Sequence, residues 1–67
     1  MIDIVVNGEL RSASEGQTIL GLIRELDLDP SRVAVELDRS IVKQPRWGET
    51  VLPPGATVEI VQFVGGG

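Results

Sequence analysis

Cysteine, histidine and tyrosine are absent from the chain, and tryptophan and phenylalanine occur once each. Without thiols or imidazoles there is no disulfide, no zinc cage, no haem ligand and no Ser-His-Asp or Cys-His nucleophile system. Ten carboxylates remain, scattered over predicted strand edges, helix surface and turns, where solvation is their ordinary role. They make no pair set up for acid and base work. The reading is therefore a non-enzyme with no metal site and no cofactor bound by the chain itself. Apolar runs stay well short of the roughly 18 residues of a membrane span, and Met1-Ile2-Asp3 opens a strand pattern with no basic leader. A cytoplasmic location without membrane contact is expected. Basic residues are also few, six against ten acids for a net charge of −4. That balance opposes the phosphate neutralisation on which nucleic-acid binding depends and suits a basic protein face instead.

What is present is a single small domain of 67 residues, 42% of them hydrophobic. At this size folding buries only about 60% of the extended chain's surface, so the core must be efficient. Ile2, Ile4 and Val6 alternate with Asp3 and Val5, the period of a strand. Asn7-Gly8 accepts the positive φ angles of a type I′ turn and predicts a hairpin into a second strand over Glu9–Ala13. From Thr18 the period lengthens. Ile19, Leu22, Ile23 and Leu26 form one helical stripe with Thr18 as N-cap, Pro30 is expected to end the helix, and Gly21 within it suggests close packing on the sheet. Val33–Leu37 predicts a third strand, Asp38-Arg39-Ser40 a turn, and Ile41-Val42 a short fourth strand.

Lys43–Thr50 is punctuated by Pro and Gly and reads as an irregular surface excursion. Its lone Trp47 is expected to close one end of the core, because base stacking uses several aromatics and a positive groove. Val51-Leu52 can reach the core, and Pro53-Pro54-Gly55 makes a tight turn. Thr57–Val64 is the last predicted strand. One helical stripe requires one apolar sheet face, and a right-handed crossover lets the last strand lie parallel beside the first. The expected fold is α+β, a ubiquitin-like β-grasp with a mixed sheet of four to five strands packed on one helix. Val58 and Ile60 are then expected to face that helix together with Ile2, Ile4, Val35 and Leu37.

Alternation leaves Val61 and Phe63 on the opposite sheet face, where Val5 is expected to join them. No second helix is available to cover that face. These three residues are the candidate partner-binding patch, unless the loop over Lys43–Thr50 folds back across them. The chain then runs into Gly65, Gly66 and Gly67. At a glycine frequency of about 7%, three such positions coincide in roughly one unrelated chain in three thousand. Residues 1–64 thus read as the domain and 65–67 as a flexible tail, slender enough to thread a closed catalytic site. Its reactive group is the Gly67 α-carboxylate, which is ionised at neutral pH with a reference pKa of about 3.5. Attack on the α-phosphate of a nucleotide would make it an acyl-adenylate.

These segments resemble the sulfur carrier proteins of thiamine biosynthesis, the ThiS family, over essentially the whole chain. The resemblance is carried by VNG at Val6–Gly8, GQTI at Gly16–Ile19, VAVEL at Val33–Leu37, Ile41-Val42, Trp47, VEIV at Val58–Val61 and FVGGG at Phe63–Gly67. It departs at Gly55-Ala56-Thr57, where the family commonly has Gly-Asp. The resemblance implies a ThiF-type adenylating enzyme that uses MgATP to activate Gly67, and a persulfide sulfur donor that converts it to a thiocarboxylate. It also implies a thiazole synthase of ThiG type as sulfur acceptor, and Gly66 and Gly67 as the functional tail. A di-glycine end also fits carriers that serve molybdopterin or another sulfur metabolite, and ubiquitin-like protein modifiers. Only one lysine, Lys43, is present, which argues against self-linked chains of such a modifier.

Overall fold

In the computed structural model, residues 1–64 are described. Strand β1 (Ile2–Val6) turns through Asn7 and Gly8 into β2 (Glu9–Ala13), and helix α1 (Ile19–Glu25) follows. The chain continues through β3 (Val33–Leu37) and β4 (Ser40–Val42) to β5 (Thr57–Gln62), with short 3-10 turns at Pro30–Arg32 and Gln44–Arg46. The sheet runs in the order β2-β1-β5-β3-β4. Only the β1–β5 pair is parallel. The last strand is therefore central, as the crossover argument requires.

Turn chemistry sets the hairpins. Asn7 and Gly8 have φ of 50° and 83°, the two positive angles of a type I′ turn whose twist matches the strands. Asp38 and Arg39, at 48° and 73°, repeat the geometry between Leu37 and Ser40, so the second turn is a residue shorter than the sequence suggests. At Pro53-Pro54-Gly55, the Ala56 N–H donates to the Pro53 carbonyl at 3.1 Å. Gly55 supplies the φ of 79° that the third position of a type II turn needs. Ala56 is buried in the core.

The helix begins as expected. The Thr18 Oγ1 accepts the Gly21 N–H at 3.1 Å, while the N–H groups of Ile19 and Leu20 donate to the carbonyls of Thr50 (3.0 Å) and Trp47 (3.2 Å). The orphan donors of the first turn are thus met by one side chain and by the later loop. Its end differs from expectation. Leu28 N–H donates to the Ile23 carbonyl and Asp27 N–H to that of Arg24, with Asp27 at φ 58°. This Schellman arrangement stops the helix before Pro30, which instead opens the first 3-10 turn. Gly21 is not pressed on the sheet either. A Cβ there would meet only Thr18 Oγ1 and Gln17 Cγ, at 3.4 and 3.7 Å.

The core lies between α1 and one sheet face. Ile4, Val35, Val58 and Ile60 are buried against Ile19, Leu22 and Ile23, with Ile2 and Leu37 half-buried at the margin. Trp47 is 2% exposed and its Nε1–H donates to the Val42 carbonyl at 2.7 Å. The irregular segment thus sends its one aromatic inward, and Leu52 follows it while Val51 stays outside. β5 ends at Gln62, not Val64, because β3 begins opposite it at Val33. One further bond, from Phe63 N–H to the Arg32 carbonyl, continues the alignment.

On the exposed side of α1, the Glu25 carboxylate accepts from Gln17 Nε2 at 2.8 Å and from Arg11 at 3.0 Å. The Gln17 hydrogen bond first, and Arg11 second, hold its pKa below the ordinary 4.5. A depressed folded pKa stabilises fully above the ordinary value and loses that contribution as pH falls through the folded one. We expect the NMR-titrated Glu25 pKa to lie below 4.5, and Glu25→Gln to flatten the stability loss on acidification below about pH 4.5.

Candidate functional site

The site predicted from sequence has two parts, a sheet surface and a tail. Gly65, Gly66 and Gly67 lie outside the described residues. The surface is the sheet face turned away from α1, and pairing register orders it into rows. In one row Val5 stands between Leu10 of β2 and Thr57 of β5. In the next, Glu59 lies opposite Glu36, which lies opposite Ile41. Beyond it Val61 lies opposite Ala34, and Phe63 follows.

Val61 and Phe63 are 58% and 57% exposed, so the loop over Lys43–Thr50 does not cover them. Its Trp47 is committed to the core on the other side of the sheet. Val5 shares the outer face but not the neighbourhood. The parallel register sets it beside Thr57, four positions and about 13 Å from Val61 at roughly 3.3 Å per residue. β1 has turned away before β5 reaches Val61, so the patch does not form across these two strands.

Three features were missed by sequence reasoning. Leu10 and Ile41 are exposed apolar residues on the same face; alternation could have placed each within its strand, but only register shows what it adjoins. Glu36 and Glu59 are direct cross-strand neighbours, a like-charge pairing that costs stability in general and gives the face a negative centre between apolar flanks. Asn7 is the third. Beyond its turn role, its Oδ1 accepts the Ile60 N–H at 2.7 Å and its Nδ2 donates to the Ile60 carbonyl at 3.1 Å. The side chain thereby ties the hairpin to the tail-bearing strand.

A mixed five-stranded sheet with its final strand central and parallel to the first, wrapped on one helix, defines a ubiquitin-like β-grasp protein. The model of the ThiS family matches residues 4–67, and the chain belongs to that family. It is 39% identical over 64 residues to a thiazole synthase of Magnetococcus marinus, covering 96% of this chain and 20% of that one. The chain thus spans about a fifth of the length of that relative and of the similar thiazole synthase of Paramagnetospirillum magneticum. The sulfur carrier protein ThiS of Escherichia coli is 24% identical over 66 residues, 98% of this chain and 100% of the other. Among solved structures, the thiamine biosynthesis protein ThiS of Geobacter metallireducens superposes with a TM-score of 0.84 at 26% identity, covering 98% of this chain and all of that one.

Proposed function

We propose that the chain is a sulfur carrier of thiamine biosynthesis whose working group is the Gly67 carboxylate. An adenylating enzyme of ThiF type binds the folded body, and the carboxylate attacks the α-phosphate of MgATP, expelling pyrophosphate to give an acyl-adenylate. The terminal sulfur of a persulfide donor then displaces AMP. A thiol cleaves the S–S bond of the resulting acyl disulfide and leaves a terminal thiocarboxylate. At thiazole synthase the sulfur passes to a carbonyl carbon of the acceptor, and an oxygen from that carbonyl group or from water replaces it on the Gly67 carbonyl carbon, which restores the carboxylate. The body works as a grip, in the cytoplasm, and performs none of the bond changes itself.

One observation carries this reading. In a ThiS-family chain, three glycines follow two residues after the central strand, and the outward side chains that lead to them, Val61 and Phe63, are more than half exposed. Similarity to two thiazole synthases favours thiazole formation over molybdopterin as the sulfur's destination. Intact mass after incubation with MgATP, a ThiF-type enzyme and a persulfide donor tests it. The expected gain is one oxygen exchanged for one sulfur, located in the terminal peptide; an unchanged mass, or attachment to protein lysines, refutes it.

The grip makes a further prediction. Val61→Asp and Phe63→Ser each weaken binding to the adenylating enzyme by roughly tenfold or more, as loss of an apolar anchor does. Both sites are exposed, so thermal stability changes by no more than about 0.5 kcal/mol. Titration calorimetry and thermal melting separate the two effects.

A further inference from the structure

The strand that carries the tail is paired unequally on its two edges. Towards β3 it is closed along its length, since register runs from Leu37–Val58 to Val33–Gln62 and the Phe63 N–H donates to the Arg32 carbonyl at 2.7 Å. Towards β1 the pairing ends early. The Asn7 N–H donates to the Val58 carbonyl at 2.9 Å, and there the β1 main chain departs. Two residues on, the Asn7 side-chain amide takes over, accepting from and donating to Ile60. A primary amide offers the same acceptor and donor as a peptide group, so Asn7 serves as one extra residue of β1. Alternation brings the next such pair, the N–H and carbonyl of Gln62, to the same edge. Among the described residues no side chain, turn or further strand bonds them there, and Gln62 is exposed.

We propose that this open edge, from Gln62 towards Val64, receives an extended strand of the enzyme that acts on the tail. The partner strand continues the sheet where Asn7 stops, adding main-chain hydrogen bonds in the manner of β-augmentation. Strand pairing also holds the chain extended at the point where the glycines begin, which aims the terminus and reduces the entropy lost on threading it. Charge selects the occupant. The chain carries a net −4 and the adjoining face centres on Glu36 and Glu59, so a second copy meets like charge, whereas a strand flanked by Lys or Arg meets its complement. The identity of the partner as an adenylating enzyme rests on the carrier reading; the edge itself does not.

The test removes one hydrogen. Gln62→Pro deletes an N–H that bonds no group among the described residues, a position where an edge strand tolerates proline, and Gln62→Ala controls for the side chain. With a ThiF-type enzyme, the Pro variant is expected to bind roughly tenfold more weakly than the Ala variant, the effect of about one lost hydrogen bond, and adenylation shows that loss in KM with kcat little changed. If proline lowers the melting temperature, an ester in place of the Val61–Gln62 amide removes the same hydrogen without the ring. Amide exchange gives an independent readout: Gln62 exchanges freely alone and is protected in the complex, while Ile60 is protected in both. Equal affinities for the Pro and Ala variants, or no protection of Gln62 on binding, overturn the proposal. Self-association that the Pro variant abolishes overturns the choice of occupant. Binding without adenylation of the wild-type chain instead refutes the carrier reading and leaves the affinity comparison to decide the edge.

Discussion

Deleting Gly67 is expected to reduce sulfur loading by more than about 10²-fold and to leave the thermal transition in place. The variant still ends in a carboxylate, now on Gly66, so the chemistry of the group is unchanged and only its reach is altered. One extended residue spans about 3.3–3.6 Å. Misplacement of a reacting atom by about 1 Å can already cost a factor of about 10², so a retreat of this size is expected to reduce adenylation by more than 10²-fold. Little change in stability is expected, since among the described residues the buried cluster runs from Ile4 to Ile60. Intact mass and a melting curve on the same sample give both numbers. Sulfur loading of the shortened chain at the wild-type rate would place the reactive group elsewhere.

Trp47→Ala has the largest expected effect on the fold itself. Truncating a buried aromatic costs about 3–5 kcal/mol. A domain of this length, at roughly 0.05–0.15 kcal/mol per residue, holds only about 3–10 kcal/mol in total. The variant is therefore expected to lose most of its stability, with a melting temperature lower by about 4–8 °C for each kcal/mol. Trp47→Phe refills much of the volume but leaves the Val42 carbonyl without its indole donor, a loss of about 0.5–1.5 kcal/mol, since Val42 stays paired with Val35 in the sheet. Urea unfolding followed by circular dichroism ranks the three chains. The folded fraction of Trp47→Phe should load sulfur normally, since the ring lies in the core, across the sheet from Val61 and Phe63. A drop in loading with no drop in stability would instead make Trp47 a contact residue.

Much of this architecture is legible in residue order because it is local. Period-two alternation assigned Ile4, Val35, Val58 and Ile60 to the helix-facing side, and the structure buries all four. Asn7-Gly8 announced its turn, and Thr18 its cap, since each acts within a few residues of its own position. Pro30 misled for a related reason. A proline is a strong local stop, but the left-handed Asp27 had already closed the helix, and aspartate at that position is a weak signal beside glycine. Gly21 was likewise read through a sheet contact that the structure does not contain.

Sequence by itself determined the element types, the inward faces and the run of glycines, because composition and short-range periodicity fix them one segment at a time. Tertiary structure decided the rest. Register separated Val5 from Val61 and set Glu36 against Glu59, the loop carried Trp47 inward, and the Asn7 amide came to stand beside Ile60, 53 positions away. Such pairings depend on where distant strands meet, and a shift of one residue in register exchanges every neighbour while leaving each strand's own pattern intact.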